Sequence, residues 1–383
     1  AQEELERAVV RLEEHDRARS QFVSNVSHEL RTPLTSMIYA VANMLRGIVG
    51  PLPDRARRYL EMLEGDCKRL LTTVNDILDL RKIENKSLTL NRVRIPFGHL
   101  VRTSARSLRV QVEQKSIDLS MDLDSDHWFV SCDPQKVERV VLNVVGNAVK
   151  FTPNGGSVEL FIRDDPQRQG YVQMVARDTG VGIPQDSIEK VTLRYFTVGE
   201  QPSGSGLGLA ISKEIVELHG GHLTIQSPPI GRKNGTSVSI SLPTSEAPLV
   251  LIVNGREQER ESARALVEAH GYRAKTVGSA KEALEQAGAE HTDVILTELD
   301  LPDPGGQDLI MKLKSKEGLA RIPVIVLTAQ AVHDSAARAL RTFSIPKLAK
   351  PCEDNVLLEE IAKALVSRAS MAQRPLIRVE ESG

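Results

Sequence analysis

Ser27-His28-Glu29-Leu30-Arg31-Thr32-Pro33-Leu34 lies in a run whose apolar side steps by threes and fours: Val26, Leu30, Pro33, Met37, Ala40 and Met44, widened by Leu34, Val41 and Ile48. That spacing predicts an amphipathic helix. Gly50-Pro51-Leu52-Pro53 ends it, because two prolines and a glycine cannot continue a helix. From about Asp54 the pattern resumes with Leu60, Leu63, Cys67, Leu70, Val74 and Ile77. Two long amphipathic helices joined by a short turn make a hairpin. One hairpin cannot bury both stripes, so a homodimer closing a four-helix bundle is expected. Upstream, residues 1–19 are highly charged, with a thin stripe of Leu5, Val9 and Leu12. They predict a helix that is marginal alone and a short coiled coil when paired with a copy of itself.

His28 is two residues from both Val26 and Leu30, about 200° around the helix from each, so it is expected to face water. A histidine on a wet helix surface is ordinary, but Pro33 is not. It costs about 3 kcal/mol in mid-helix and frees the carbonyl of Glu29, a defect retained more readily where the geometry has a use. An exposed imidazole of ordinary pKa, about 6.5, is largely neutral at pH 7 and offers one ring nitrogen as a nucleophile. Glu29 is placed to accept a hydrogen bond from the other nitrogen, and Thr32 to hold a water beside a phosphorylated His28. The segment resembles the H-box of the sensor histidine kinases, in their commonest dimerisation and phosphotransfer domain (residues 20–90 here). The resemblance implies His28 as phosphoacceptor, Glu29 as its acid/base partner and Thr32 as a phosphatase element.

Between residues 91 and 243 the pattern changes to strands mixed with helices: strands at Ile117–Leu123, Ser157–Ile162, Val172–Ala176, Leu223–Ile225 and Ser237–Leu242, and helices near Lys136–Lys150 and Leu207–His219. Mixing without strict alternation predicts an α+β sandwich. Asn143, Asn147 and Lys150 fall on nearly one helix face. A carboxamide oxygen suits Mg²⁺ and an ammonium suits phosphate. Asp178-Thr-Gly180-Val-Gly182 follows a strand, offering a carboxylate to a purine amino group and glycines that let backbone approach the ring. Gly204-Ser-Gly206-Leu207-Gly208 opens a helix, where free N–H groups favour phosphate. Three such segments in this order resemble the N, G1 and G2 boxes of the histidine-kinase ATP-binding domain, whose fold is shared with Hsp90 and gyrase, and Asn234-Gly235-Thr236 resembles the last glycine box. The resemblance implies ATP and Mg²⁺ as cofactors, Asn147 as the metal ligand, Asn143 and Lys150 near the phosphates, and Asp178 on adenine. It also implies Gly180, Gly182 and Thr236 around the base, with Gly204, Gly206, Leu207 and Gly208 anchoring a lid. One box departs from the family: Thr192 stands where an aromatic is usual, and Thr197 where an arginine often meets the phosphates, with Arg194 as a substitute.

After a short polar linker, residues 244–248, strands and helices alternate through residue 368, predicting a five-stranded doubly wound parallel sheet. Its strands are expected at Leu249–Val253, Tyr272–Thr276, Val294–Leu299, Val324–Thr328 and Ser344–Leu348. This part resembles the flavodoxin-like receiver of response regulators, with Thr328 and Lys350-Pro351 matching the switch threonine and the lysine. The resemblance also exposes a departure. Val253-Asn254-Gly255 lacks the acidic pair, and Glu298 stands at the phosphoacceptor position, so a degenerate receiver that regulates is expected, with Glu298 reaching Lys350 directly. Residues 369–383 show no periodicity and are left as a tail.

Totals set the outer limits. Over 383 residues, 49 Lys and Arg against 51 Asp and Glu give a net charge of −2, without the basic excess of a nucleic-acid binder. Three dispersed cysteines suit a reducing compartment, and no apolar run is long enough to span a membrane. The expectation is a cytoplasmic histidine kinase passing its phosphoryl group to a separate response regulator, with an upstream sensor missing from this chain. A regulatory scaffold or phosphatase that binds ATP with little kinase activity is the second reading.

Overall fold

The computed structural model describes residue 26 and residues 29–85, 87–123, 128–199, 205–289, 291–301, 305–328 and 334–371. Two compact units emerge, Ala1–Thr89 with Glu189–Glu214, and Leu90–Ile188 with Ile215–Gly383.

The first unit holds the hairpin. Helix α1 covers residues 29–45, and its Pro33 sits inside a continuous helix. Helix α2, Asp54–Glu84, begins at the predicted position, directly after Pro53. Leu34, Val74 and Leu80 are buried, whereas Leu30, Met37, Met44, Leu63 and Leu70 stay exposed. These exposed residues belong to the two stripes read from the sequence, so a single hairpin leaves much of its apolar surface open to a partner.

In the second unit, two short antiparallel strands, β1 (Val93–Pro96) and β3 (Phe129–Cys132), pair away from the main sheet. Helices α3 (Phe97–Arg106) and α4 (Arg109–Gln114) follow β1. The main sheet contains β2 (Asp118–Asp122), β4 (Ser157–Asp164), β5 (Tyr171–Asp178), β6 (His222–Gln226) and β7 (Ser237–Pro243), in the order β2-β4-β5-β7-β6. Only β2 and β4 run parallel; the other pairs are antiparallel. Helix α5, Pro134–Phe151, packs against α3 and β5. Val137, Val140, Val141, Val144, Val145, Ala148 and Val149 line its buried side. Its start is secured by Pro134 in the first turn and by the Asp133 side chain, which accepts from Lys136 N at 3.2 Å.

The far end of α5 is held by a lysine 35 residues upstream. Lys115 Nζ donates to the carbonyls of Val149 at 2.9 Å, Lys150 at 2.7 Å and Thr152 at 2.6 Å. A cation there satisfies orphan carbonyls and opposes the helix dipole. Lys115→Met is expected to cost about 2 kcal/mol, the worth of one charged hydrogen-bond cluster, read as a lower urea midpoint.

The last five strands are β8 (Leu249–Val253), β9 (Arg273–Val277), β10 (Val294–Glu298), β11 (Val324–Thr328) and β12 (Lys347–Ala349). All pair in parallel, in the order β12-β11-β10-β8-β9. Helices α7 (Glu257–Ala269), α8 (Ala280–Ala289), α9 (Gly306–Ser315), α10 (Asp334–Thr342) and α11 (Asp354–Met371) cross between or follow them. β8, β10 and β11 are buried throughout because helices cover both faces, which is why they read as unbroken apolar runs. The doubly wound sheet is as expected, but its fifth strand runs from Lys347 to Ala349, not Ser344 to Leu348. Ser344 has a positive φ and belongs to the turn before it.

Candidate functional site

Strand β5 delivers Asp178 to the end of the main sheet, where it is buried. Its Oδ1 accepts from Gly180 N at 2.7 Å and from Thr236 N at 3.1 Å, while Asp178 N donates to Thr236 O at 2.8 Å. Burial raises the carboxyl above its ordinary pKa, opposed by those two N–H donors and by the charge of Arg232. The loop around it is tightly packed. A Cβ on Gly180 would sit 2.7 Å from Phe151 O at the end of α5, and one on Gly235 would sit 2.0 Å from Asp178 O. Gly235 also holds φ at +100°, which side chains rarely adopt. Ser227 ties the next turn down, donating to Gly235 O at 2.8 Å and accepting from Ile183 N at 2.7 Å. Gly182 packs against this same serine. Asp178, Gly180, Gly182 and Thr236, dispersed over some sixty residues, therefore form one cradle beside the C-terminal end of α5.

On α5 the polar face is as predicted: Asn143 and Asn147 are half-buried and Lys150 is exposed, with Gly146 between them adding no side chain. Partial burial lowers the Lys150 pKa. The Asn147 amide oxygen is a hard donor on an accessible helix face. It fits Mg²⁺, which usually takes few protein ligands and fills its octahedron from phosphates and water. Among the described residues no cluster of three or more His, Cys, Asp or Glu side chains is positioned to form a metal site of its own.

The remaining residues of this group lie in the first unit. Gly206 O accepts from Tyr195 N at 2.9 Å, Leu207 is buried and Gly208 starts α6 (Gly208–Leu218); Gly204 lies outside the described residues. Arg194, the proposed substitute for a phosphate-binding arginine, is instead engaged by carboxylates, at 2.5 Å from Glu84 and 3.4 Å from Glu214. His28 also lies outside the described residues. Glu29 and Thr32, its neighbours one and four positions on, are both exposed on α1.

In the last domain, Glu298 ends β10 and pairs with Lys350 Nζ, as expected from the sequence. A second carboxylate, Glu259 on α7, also pairs with that ammonium. Glu259 further accepts from Asn254 Nδ2 at 3.1 Å and meets Arg256 Nη1 at 2.5 Å. Sequence reasoning missed it because the family's acids are sought directly after the first strand. The available signal was an acid in the opening turn of the following helix. Lys350 and Arg256 hold the Glu259 carboxyl down at about 2. With both carboxylates committed to an ammonium, this site does not fit Mg²⁺, which would have to displace the lysine. Glu259 thus adds stability that is complete above its ordinary value near 4.5 and is lost as pH falls toward about 2. Lys350→Met should weaken that acid-sensitive component, since Glu259 keeps Arg256 and Asn254, and cost about 2 kcal/mol at pH 7 by leaving the buried Glu298 carboxylate without its ammonium, which urea unfolding over a pH series will measure.

Comparison with known proteins finds three family matches in succession. Residues 18–86 match the His Kinase A phospho-acceptor domain, residues 132–246 the histidine kinase-, DNA gyrase B- and HSP90-like ATPase, and residues 250–362 the response regulator receiver domain. Histidine protein kinase DivJ of Caulobacter vibrioides is 35% identical over 249 residues, 64% of this chain and 41% of that protein. Circadian input-output histidine kinase CikA of Synechococcus elongatus is 28% identical over 381 residues, 94% of this chain and 49% of that protein. Among solved structures, full-length ShkA in complex with AMPPNP aligns over 93% of this chain and 72% of its own at 24% identity, with a TM-score of 0.48. The chain thus spans less than half of each of these two relatives, 41% of DivJ and 49% of CikA. With a phospho-acceptor hairpin, a Hsp90-like ATPase domain and a receiver following one another in a single polypeptide, the chain belongs to the hybrid sensor histidine kinases.

Proposed function

We propose that the chain is an ATP-dependent protein-histidine kinase that phosphorylates His28 and hands the phosphoryl group to an aspartate on a separate response regulator. The observation that carries this reading is the Asp178 cradle, which sits beside α5 in the same chain as the His28 hairpin. There, two backbone donors hold Oδ1, leaving Oδ2 for the amino group of adenine. Asn143, Asn147 and Lys150 lie along the helix that ends at this cradle, where the triphosphate would run. Mg²⁺, when bound, supplies charge neutralisation on the phosphate oxygens, with Asn147 as its protein ligand. A ring nitrogen of His28 attacks the γ-phosphorus, so a P–N bond forms as the bond to the β,γ-bridging oxygen breaks. ADP carries away that electron pair, and Glu29 takes the ring proton. Positioning and charge supply most of the rate.

Two chains are expected to pair through the exposed stripes of α1 and α2, in a cytoplasmic protein fed by a sensor outside this chain. Among the described residues, no helix is long and apolar enough to cross a membrane. In this scheme the receiver-like domain regulates and does not accept phosphate, since Lys350 already has two carboxylate partners.

A second reading, an ATP-binding scaffold or phosphatase with little kinase activity, is favoured by Thr192 in place of an aromatic and by Arg194 bound to Glu84 and Glu214. The test is incubation with γ-labelled ATP and Mg²⁺. The kinase reading expects label on the chain that is stable in alkali and lost in acid. Nucleotide binding without any such label favours the scaffold.

A further inference from the structure

Residues 244–248 read as a short polar linker, and in the structure they are bonded on both sides. Thr244 forms a β-bridge with Val130 of β3 and donates through its backbone N–H to Gly170 O at 2.9 Å. Ser245 N donates to Phe129 O at 2.7 Å, and Pro248 O accepts from Arg273 N at 3.1 Å. Five residues of chain are thus stitched to the ATPase domain at one end and to the receiver-like sheet at the other.

Around this strap the two domains touch directly. The ring of Phe129 on β3 packs against Tyr272, at the start of β9, with centroids 5.1 Å apart; both are buried. Arg94 on β1 reaches 3.7 Å from Asp293 Oδ2 and 3.9 Å from Glu246. Glu246 also pairs with Arg273 at 3.1 Å. Asp293 is almost wholly buried and is fixed from the receiver side by Arg368 at 2.8 Å and by Leu249 N at 2.9 Å. Helix α11 lies against β1, α3 and α5. The contacts cluster on β1 and β3, the strand pair that stands apart from the main ATPase sheet. They engage the N-terminal ends of β9 and β10, opposite the Lys350 site at the C-terminal ends.

The strand that carries this seam leads straight into the helix bearing Asn143, Asn147 and Lys150. Asp133, directly after β3, caps α5 and also accepts from Asn91 N at 3.0 Å. We propose that the receiver-like domain is permanently docked on β1 and β3, and that its docked position sets nucleotide affinity through the β3–α5 junction. An aromatic contact, a strap of backbone hydrogen bonds and a buried carboxylate shared across the seam together make a joint that local fluctuations do not open, unlike a tether. The docking stands on these contacts alone; the effect on affinity rests on the nucleotide role assigned above to α5.

Hydrogen exchange on the full chain without nucleotide tests the docking. The amide of Ser245, which is bonded to Phe129 O, should exchange at least ~100-fold slower than in an open chain. Arg94→Glu, which sets like charges against Asp293 and Glu246, and Tyr272→Ala should each raise the exchange of Ser245 at least ~10-fold, while Ile295 in the receiver core stays protected. Unprotected exchange at Ser245 in the wild type, or protection unchanged in both variants, overturns the docking. Titration with a non-hydrolysable ATP analogue tests the coupling: opening the seam should change Kd by ~3-fold or more, and an identical Kd in a variant with an open seam overturns it. Absence of analogue binding by the wild type overturns the nucleotide role of α5 and leaves the exchange result standing.

Discussion

Replacing His28 with alanine will abolish the acid-labile label, by at least ~100-fold against wild type, while the affinity for ATP stays within about twofold. The asymmetry follows from where the groups lie. Asp178, Gly180, Gly182 and Thr236 build the nucleotide cradle out of β5, the loop after it and the start of β7, and none of these elements includes the hairpin. Deleting the proposed acceptor removes the ring nitrogen assigned to the P–N bond without altering what holds adenine. Glu29→Gln should give a partial loss, because the ring nitrogen remains but its proton acceptor is weakened. Persistence of acid-labile label in the alanine variant, read by filter binding after alkaline and acid washes, would reject His28 as the acceptor.

The second large effect is expected at Asp178. Its Oδ1 takes two backbone N–H donors, and the remaining oxygen is the one left to meet a purine amino group. Asparagine at this position must keep its carbonyl toward Gly180 and Thr236 to satisfy those donors. Its NH₂ group would then face the adenine amino group, donor against donor. A site built to accept a hydrogen bond from its ligand and then deprived of the acceptor loses discrimination and affinity together. Asp178→Asn should weaken ATP binding by about 100-fold, equivalent to ~2.7 kcal/mol, measured by calorimetry. The same carboxylate sets a pH dependence: burial raises its pKa, so affinity should begin to fall at a higher pH on acidification than an ordinary aspartate would produce. Unchanged affinity in the asparagine variant would remove adenine from this pocket.

Much of the architecture was legible in the residues. The three-and-four stepping after Asp54 predicted the start of α2, because a long amphipathic helix carries many repeats of one signal and Pro53 marks its edge. Leu249–Val253 and Val324–Thr328 were read to the residue, since strands buried on both faces are continuous apolar blocks. Strands β1 and β3 were missed. At four residues each they hold only two periods of alternation, and β1 ends in Pro96 and carries an arginine, so neither stands out from a loop. Helices α3 and α4 were missed with them. The bonding of the linker at 244–248 was not legible in the sequence because a polar composition describes side chains, whereas the bonds are made by backbone groups of Phe129, Gly170 and Arg273.

Local chemistry, then, was written in the chain itself: a histidine followed by a glutamate and a proline in a helix, glycine-bounded loops, and a receiver-type strand without its acidic pair. Side-chain type and short-range spacing determine those features, and both are visible in one dimension. Which carboxylates neutralise Lys350 was decided only in three dimensions. Glu298 was foreseeable from its place on β10, but Glu259 arrives from a helix 91 residues earlier, and its partnership depends on how α7 lies beside β8. The seam through Phe129, Tyr272, Arg94 and Asp293 is of the same kind. Packing brings together groups that share no period and no motif, and the free energy of such contacts depends on distance in space, which spacing along the chain does not encode.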